Sequence, residues 1–468
     1  MANDSARVRV IRRSTVKASV TRPGAVLPVS NLDLLYYPMP LSMVCAYRRP
    51  STGGGGFVDV VATFEAKLPS LLDHFFHLAG RIVADPRSGL PEVHCYNQGA
   101  ELVVGEVGVA LASLHFGDLD ASLARIGVPV QYGADVALSV QLVLFACGGF
   151  VVAWSTNHGL ADGCALSMIV DAWPEVVRSG TIVAAPNCDR SVFCPRAAPS
   201  YSPSVGELFM PLASDRLVNS LTAGGSLVGR TYYVEERDLA MLRVQASGDG
   251  ERGASRVEAV SAYLWKVFAA TVGSSDENCR MGWWVNGRRR LTTAPGEAMR
   301  SYVGNVTTFA VAEASVDAIQ RQSLPEIASM MRESIRSTAT DEHFQELVDW
   351  VEEHKGNGNG KAAVKFVETA TVGLGSPAMG VTSFASFSID TDFGFGRAAM
   401  VMPTWVDCGR LCSGFVKIMA RPEDDGGGGC WIFGMSVWPK LAAALDSDEQ
   451  RIFKPLTAEY LGLVSAEN

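Results

Sequence analysis

The chain has 468 residues, 48% of them hydrophobic and 19% charged, and a formal net charge of −9. Its length implies two or three domains, and its apolar content excludes a disordered chain. The acidic balance, with no basic run or stripe, argues against a nucleic-acid partner.

The N-terminus carries Asn3, Asp4, Arg7, Arg9, Arg12 and Arg13 and lacks the apolar core of a secretory signal. Short apolar strands then alternate with helical patterns along the whole chain, so the expected class is α/β with mixed sheets. Residues 70–79 place Leu71, Leu72, Phe75, Phe76 and Leu78 on a helical face that ends at Gly80. Strands are expected at residues 82–83, 93–96 and 102–104. Residues 137–146 and 150–155 read as a hairpin turning at Gly148 and Gly149. Gln141 and the glycine pair interrupt the longest apolar stretch, residues 136–156, so it does not read as a membrane span.

Between residues 184 and 213 the pattern fails, with Pro186, Pro195, Pro199 and Pro203 among serines and arginines. We read this as an irregular connection between a first domain, 1–183, and a second, 214–468. Helices are expected at residues 256–270 and 324–337. Three glycine runs, at residues 53–56, 356–360 and 426–429, match no Walker loop and open no helix after a strand, so they read as flexible surface loops. The ten cysteines include no close-set pairs of the kind that build zinc sites. Cys408 and Cys412 stand four apart without a second pair. Free thiols of this kind suit a reducing compartment, so cytosol is the expected location.

The segment Trp154-Ser-Thr-Asn-His158-Gly-Leu-Ala-Asp162-Gly163 stands between a strand and a helix marked by Leu166, Ile169, Val170 and Trp173. A histidine on such a loop can face a cleft, and its near-neutral pKa suits it to take a proton from an attacking alcohol or amine. Asp162 is a natural N-cap. A structural histidine beside an ordinary cap is the plain alternative.

Far downstream lies Asp390-Thr-Asp392-Phe393-Gly394-Phe395-Gly396-Arg397. Together the two segments resemble the HxxxDG and DFGWG motifs of the plant BAHD acyl-CoA-dependent acyltransferases, hydroxycinnamoyltransferases in particular. Phe395 stands where tryptophan is commonest, keeping a ring but losing the indole N–H. Further matches include the opening residues 27–33, Leu78-Ala-Gly-Arg81, the strand before His158, the helix from Ser255 to Trp265, Val285 to Leu291, and Tyr302-Val-Gly304-Asn305.

The resemblance implies two chloramphenicol-acetyltransferase-like domains joined by a long crossover loop, with a tunnel between them. It implies His158 as general base at the tunnel's midpoint, acting in a ternary complex without an acyl-enzyme. It implies no permanently bound cofactor, with acyl-CoA as co-substrate, a small alcohol or amine as acceptor, and a monomer. Asp162 would pair with Arg288 or Arg290, with Arg288 preferred. Gly163, Asp392, Phe393, Gly394, Phe395 and Gly396 would be structural. Thr382 would position the acceptor or donate to the oxyanion, and Phe384 would line the acceptor pocket without a hydrogen to donate. Ser255 and Arg256 would hold the CoA phosphates at a helix N-terminus. Phe384, Phe387, Phe393 and Phe395 lean the donor towards an aromatic acyl group. Two rivals keep the fold: a non-catalytic accessory of lipid elongation, and a thioester hydrolase using water as acceptor. A serine hydrolase is excluded, since the chain has no GxSxG elbow.

Overall fold

The computed structural model describes residues 6–36, 39–50, 55–211, 227–248, 252–292, 299–356, 364–370, 376–387, 389–404, 414–422 and 429–464. The expected hairpin forms from Leu138–Phe145 and Phe150–Asn157, and Gly148 supplies the positive φ of +83° in its turn. Every residue of Phe150–Asn157 is buried, because this strand sits inside a six-stranded mixed sheet. The order is Arg9–Val16, Ala100–Val107, Leu138–Phe145, Phe150–Asn157, Pro40–Tyr47 and Met400–Thr404. The last of these strands comes from the far side of the proposed division at 184–213 and pairs antiparallel with Pro40–Tyr47.

A second mixed sheet of seven strands runs in the order Thr307–Ser315, Asn278–Asn286, Ala378–Ser383, Gly414–Ala420, Trp431–Val437, Val228–Val234 and Lys454–Pro455. The helix Arg256–Val272 buries Leu264, Trp265 and Phe268 in the core of this sheet. Capping boxes of Ser255 with Glu258 and of Ser323 with Glu326 start this helix and Leu324–Thr338, both where the sequence places them. The first sheet's core takes in Met419 and Ile432 from the second half of the chain, so the two sheets share apolar contacts. Among the described residues no helix is long and apolar enough to cross a membrane.

Three expectations need correction. The helix read at residues 70–79 begins at Phe57 and ends at His74, followed by a short 3₁₀ turn at Phe76–Ala79. Pro69 lies inside it, but burial of Val60, Phe64, Leu68, Leu71 and Leu72 along one face outweighs the lost hydrogen bond. The first glycine run does stand between a strand and a helix, since Gly56 is that helix's N-cap. The Gly56 amide is already taken, donating to the Asp59 carboxylate at 2.7 Å, and an acidic first turn repels phosphate. Finally, residues 184–211 are not wholly irregular: they hold a short helix, Pro203–Leu208, and a strand, Phe209–Pro211, paired with Phe366–Glu368. The backbone amides of Arg196 and Ser200 donate to the two oxygens of the buried Asp349, at 2.9 and 3.1 Å, which ties the segment to the helix Asp341–His354. Cys408, Cys412 and most of the other two glycine runs lie outside the described residues.

Candidate active site

The His158 loop is set at both ends. Its strand ends at Asn157, whose side-chain oxygen accepts from the Gly159 amide at 2.8 Å, and the His158 amide donates to the Met39 carbonyl at 2.6 Å. At the other end Asp162 caps the helix Gly163–Ser179, accepting from the Ala165 amide at 2.9 Å. A Cβ on Gly163 would come within 2.3 Å of the Phe384 ring, so glycine is what lets Phe384 close over the start of this helix.

The His158 ring is 8% exposed and stacks on Tyr36 with centroids 4.7 Å apart. Its Nδ1 lies 3.1 Å from the Asn305 side-chain oxygen. The Asn305 amide nitrogen donates to Asp33 at 2.9 Å and to the His158 carbonyl at 2.7 Å, so its oxygen must be the acceptor for the ring. Nδ1 therefore carries the proton, and Nε2 keeps the lone pair. Asp33, fully buried, accepts the Arg190 guanidinium at 3.1 Å and anchors the whole chain of bonds. Burial pushes the His158 pKa down; the charge of Asp162 and the bond to Asn305 oppose this without reversing it.

Asp162 does not touch the ring. One oxygen accepts from Arg288 at 2.7 Å and from Val306 N–H and the Thr307 hydroxyl at 3.0 Å each. Burial raises its pKa, but the Arg288 charge and these hydrogen bonds hold it below the usual carboxylate range. Arg288 also donates to the carbonyls of Tyr302 and Gly304, at 3.0 and 2.7 Å, just before Asn305. Arg290 lines the cavity, and desolvation and the like charge of Arg252 lower its pKa against the opposing charge of Glu258.

His158 lines a cavity of about 1280 Å³, larger than the 300–1,000 Å³ usual for a small-molecule site. Tyr36, Trp284, Phe366, Glu368, Thr382 and Phe415 line one part of it. Gly163, Ser167 and Asp171, on one face of the His158 helix, line another, together with Arg252, Arg289, Arg290, Arg300, Arg332 and Arg336. Thr382, Phe384 and Ser255 are all on the wall. The Ser255 hydroxyl is committed to its cap, accepting from Glu258 N–H at 3.2 Å, and Arg256 extends to Glu236 at 3.4 Å.

The Asp392 loop packs on the far end of the same helix. Phe393 is buried among Tyr47, Phe64 and Trp173, and Phe395 lies against it at 5.2 Å. Arg178 donates to the Asp392 carbonyl and to Asp390, each at 2.9 Å. Gly394 and Gly396 take φ of +102° and +82°, open to glycine with little strain, and Asp392 accepts from the Gly394 amide at 2.9 Å.

Tyr36, Arg190 and the cavity-wall arginines other than Arg290 had no role assigned in the sequence reading, and Asp33 and Asn305 appeared there only within matching blocks. A buried asparagine with every polar atom engaged is visible only once its partners are brought together.

A family model described as Transferase family matches residues 6–434. Putrescine hydroxycinnamoyltransferase of Oryza sativa subsp. japonica is 24% identical over 421 residues, 85% of this chain and 89% of that protein. Among solved structures, vinorine synthase superposes with a TM-score of 0.68 at 19% identity, over 96% of this chain and 99% of its own. F. graminearum TRI101 complexed with ethyl coenzyme A gives 0.71 at 15% identity, over 92% of this chain and 99% of its own. These two structural likenesses concern the fold.

Two outcomes are expected. Since neutral His158 is the form that accepts a proton and its pKa is lowered, the acid limb of the kcat/KM profile falls below about pH 6.5; a limb above that value contradicts the assignment. Asp162→Ala strands the buried Arg288 charge and lowers the unfolding free energy by about 3–5 kcal/mol. Urea titration checks this, and an unchanged midpoint would show that the pair carries no such load.

Proposed function

Since the chain belongs to the Transferase family, the BAHD acyltransferases, we propose that it moves an acyl group from CoA to an alcohol or amine, with His158 as the base. The observation that carries this reading is the tautomer: Asn305 holds the proton on Nδ1 and leaves the Nε2 lone pair on a residue of the cavity wall. The acceptor gives its proton to Nε2 as its oxygen or nitrogen attacks the thioester carbon. The tetrahedral intermediate then expels the CoA thiolate, which recovers the proton from His158. No acyl-enzyme forms. Thr382 is the candidate donor to the oxyanion, and Phe384 adds only shape. Holding both substrates in one cavity supplies up to ~7–11 kcal/mol of the barrier reduction.

We assign the CoA phosphates to Arg252 and Arg290, which line the cavity, in place of Arg256, which pairs with Glu236. A phosphate is the natural partner of guanidiniums on one wall, and burial with the Arg252 charge disfavours the Arg290 cation until an anion arrives. A hydroxycinnamoyl or other aromatic acyl group is the donor we favour, in keeping with the name of the rice relative and with the aromatic wall. The coenzyme A named with TRI101 supports the same co-substrate. Eight described cysteines are free thiols, which suits a reducing compartment, and we place the protein in the cytosol as a monomer.

Free-thiol release from a panel of acyl-CoA donors, with and without pooled alcohols and amines, tests the reading. Acceptor-dependent release is expected, falling by about 10²–10⁴-fold in a folded His158→Ala variant. Release that ignores the acceptor would mean hydrolysis instead. Arg290→Ala is expected to raise KM for acyl-CoA by about 10-fold with kcat little changed, as for one lost charge-assisted hydrogen bond. An unchanged KM removes Arg290 from the donor site.

A further inference from the structure

The segment that joins the two halves of the chain sets one charged side chain beside the His158 network. Arg190 opens a short 3₁₀ turn, Arg190–Phe193, and its side chain is 10% exposed. The backbone before it is fastened to the second half: the Asn187 amide donates to the Ser301 carbonyl at 2.9 Å, and the Asn187 carbonyl accepts from Val303 N–H at 2.7 Å. The guanidinium then reaches three segments at once. It pairs with Asp33 at 3.1 Å, donates to the Val303 carbonyl, and lies 3.5 Å from the Leu160 carbonyl of the His158 loop. It also covers the Tyr302 ring at 5.2 Å, and a Cβ on Gly304 would come within 2.5 Å of it. These contacts bracket Asn305, whose backbone and side-chain nitrogens both donate to Asp33, at 2.8 and 2.9 Å.

Asp33 is a fully buried negative charge one residue behind the imidazole, and that charge favours the imidazolium. One Asp33 oxygen holds Asn305, and Arg190 brings the opposite charge to the other. In a poorly hydrated site such a counter-charge decides how strongly the carboxylate is felt. The remaining groups around the ring do not replace it. Asp162 is paired with Arg288, Tyr36 is a phenol whose pKa burial raises, and Cys164 and Glu368 line the cavity. Beside Arg190 itself, His77 and Cys188 meet at 3.3 Å. Burial and the Arg190 charge lower the His77 pKa to about 3, and burial pushes the Cys188 thiol up to about 11, so both stay neutral. We propose that Arg190 is a positioning residue for the general base: through Asp33 it steadies Asn305 on His158 Nδ1, and it cancels the negative charge behind that bond. This rests on His158 being the base, and it makes the connecting segment a working part of the site.

The test compares full-length wild type, Arg190→Gln, Asp33→Asn and the double variant. Nitrogen NMR of labelled histidine follows the titration of His158, whose signal is identified by its loss in His158→Ala. Arg190→Gln leaves Asp33 without its counter-charge, so His158 is expected to titrate about one pH unit higher. The acid limb of kcat/KM rises by the same amount, while KM for acyl-CoA stays put. Asp33→Asn moves the titration the other way. The double variant, with no buried charge left stranded, returns it close to the wild-type position, and Arg190→Lys, which keeps the charge, does the same. Should Arg190→Gln not fold, Asp33→Asn and the double variant read the same step, and losing Arg190 there must again raise the titration. A titration that ignores the loss of Arg190 in both backgrounds, with only stability lowered, makes its role purely structural and overturns the proposal. The NMR readout needs no turnover. The expected shift in a protein that releases thiol regardless of acceptor upholds the Arg190–Asp33 linkage and sinks the transfer reading instead.

Discussion

The site depends on one buried ion pair. Asp162 and Arg288 lie on opposite halves of the chain, are 2% and 3% exposed, and meet at 2.7 Å. Bringing two charges out of water is costly, and their attraction offsets the cost only when the remaining donors and acceptors are also matched. Here they are: the carboxylate takes four hydrogen bonds, and the guanidinium reaches two carbonyls besides. The pair therefore works less as a source of stability than as a register mark. It locks the start of the His158 helix to the Tyr302–Gly304 backbone, and Asn305, the next residue, then meets the imidazole.

The same arrangement leaves the rest of the cavity wall to other charges. With Asp162 paired to Arg288, these are the guanidiniums of Arg252, Arg289, Arg290, Arg300, Arg332 and Arg336 and the carboxylates of Asp171, Glu258, Glu333 and Glu368. Arg332 and Arg336 are tempered by Glu258 and Glu333. Burial and the Arg252 charge lower the pKa of Arg290, and Glu258 opposes them in part. A thioester whose far end is polyanionic would be drawn towards these guanidiniums before any close contact is made.

What the sequence showed of this site is what is local. A buried strand ending in histidine, with an aspartate cap four residues on, needs only neighbours along the chain to form. So do the Ser255 and Ser323 capping boxes. The preference for Arg288 over Arg290 leaned on family resemblance, and geometry supplies the reason: Arg288 follows the strand Asn278–Asn286 closely enough to turn back under Tyr302. Asn305, Asp33 and Arg190 act across separations of more than a hundred residues, which no periodicity reveals. The early part of the helix Phe57–His74 was obscured for a different reason: a glycine N-cap and an internal proline are both helix-breaking signals, overridden by tertiary burial. Ser255 and Arg256 show the opposite failure. Their local signal is genuine, but it is spent on capping and on a surface pair.

The choice of asparagine beside the imidazole fits the proposed chemistry. A carboxylate at that position would set the same tautomer and also stabilise the imidazolium, as in hydrolases that hold a proton through a covalent intermediate. A neutral amide sets the tautomer and leaves the ring a weak base in a desolvated site, its pKa lowered. Such a base holds a proton only briefly. In a direct transfer that suffices, because the departing thiolate, with a pKa of about 8.5 for an ordinary thiol, takes the proton downhill from an imidazolium whose pKa burial has lowered. The Asp162 charge favours the imidazolium, but burial outweighs it and leaves His158 neutral and ready for the next acceptor.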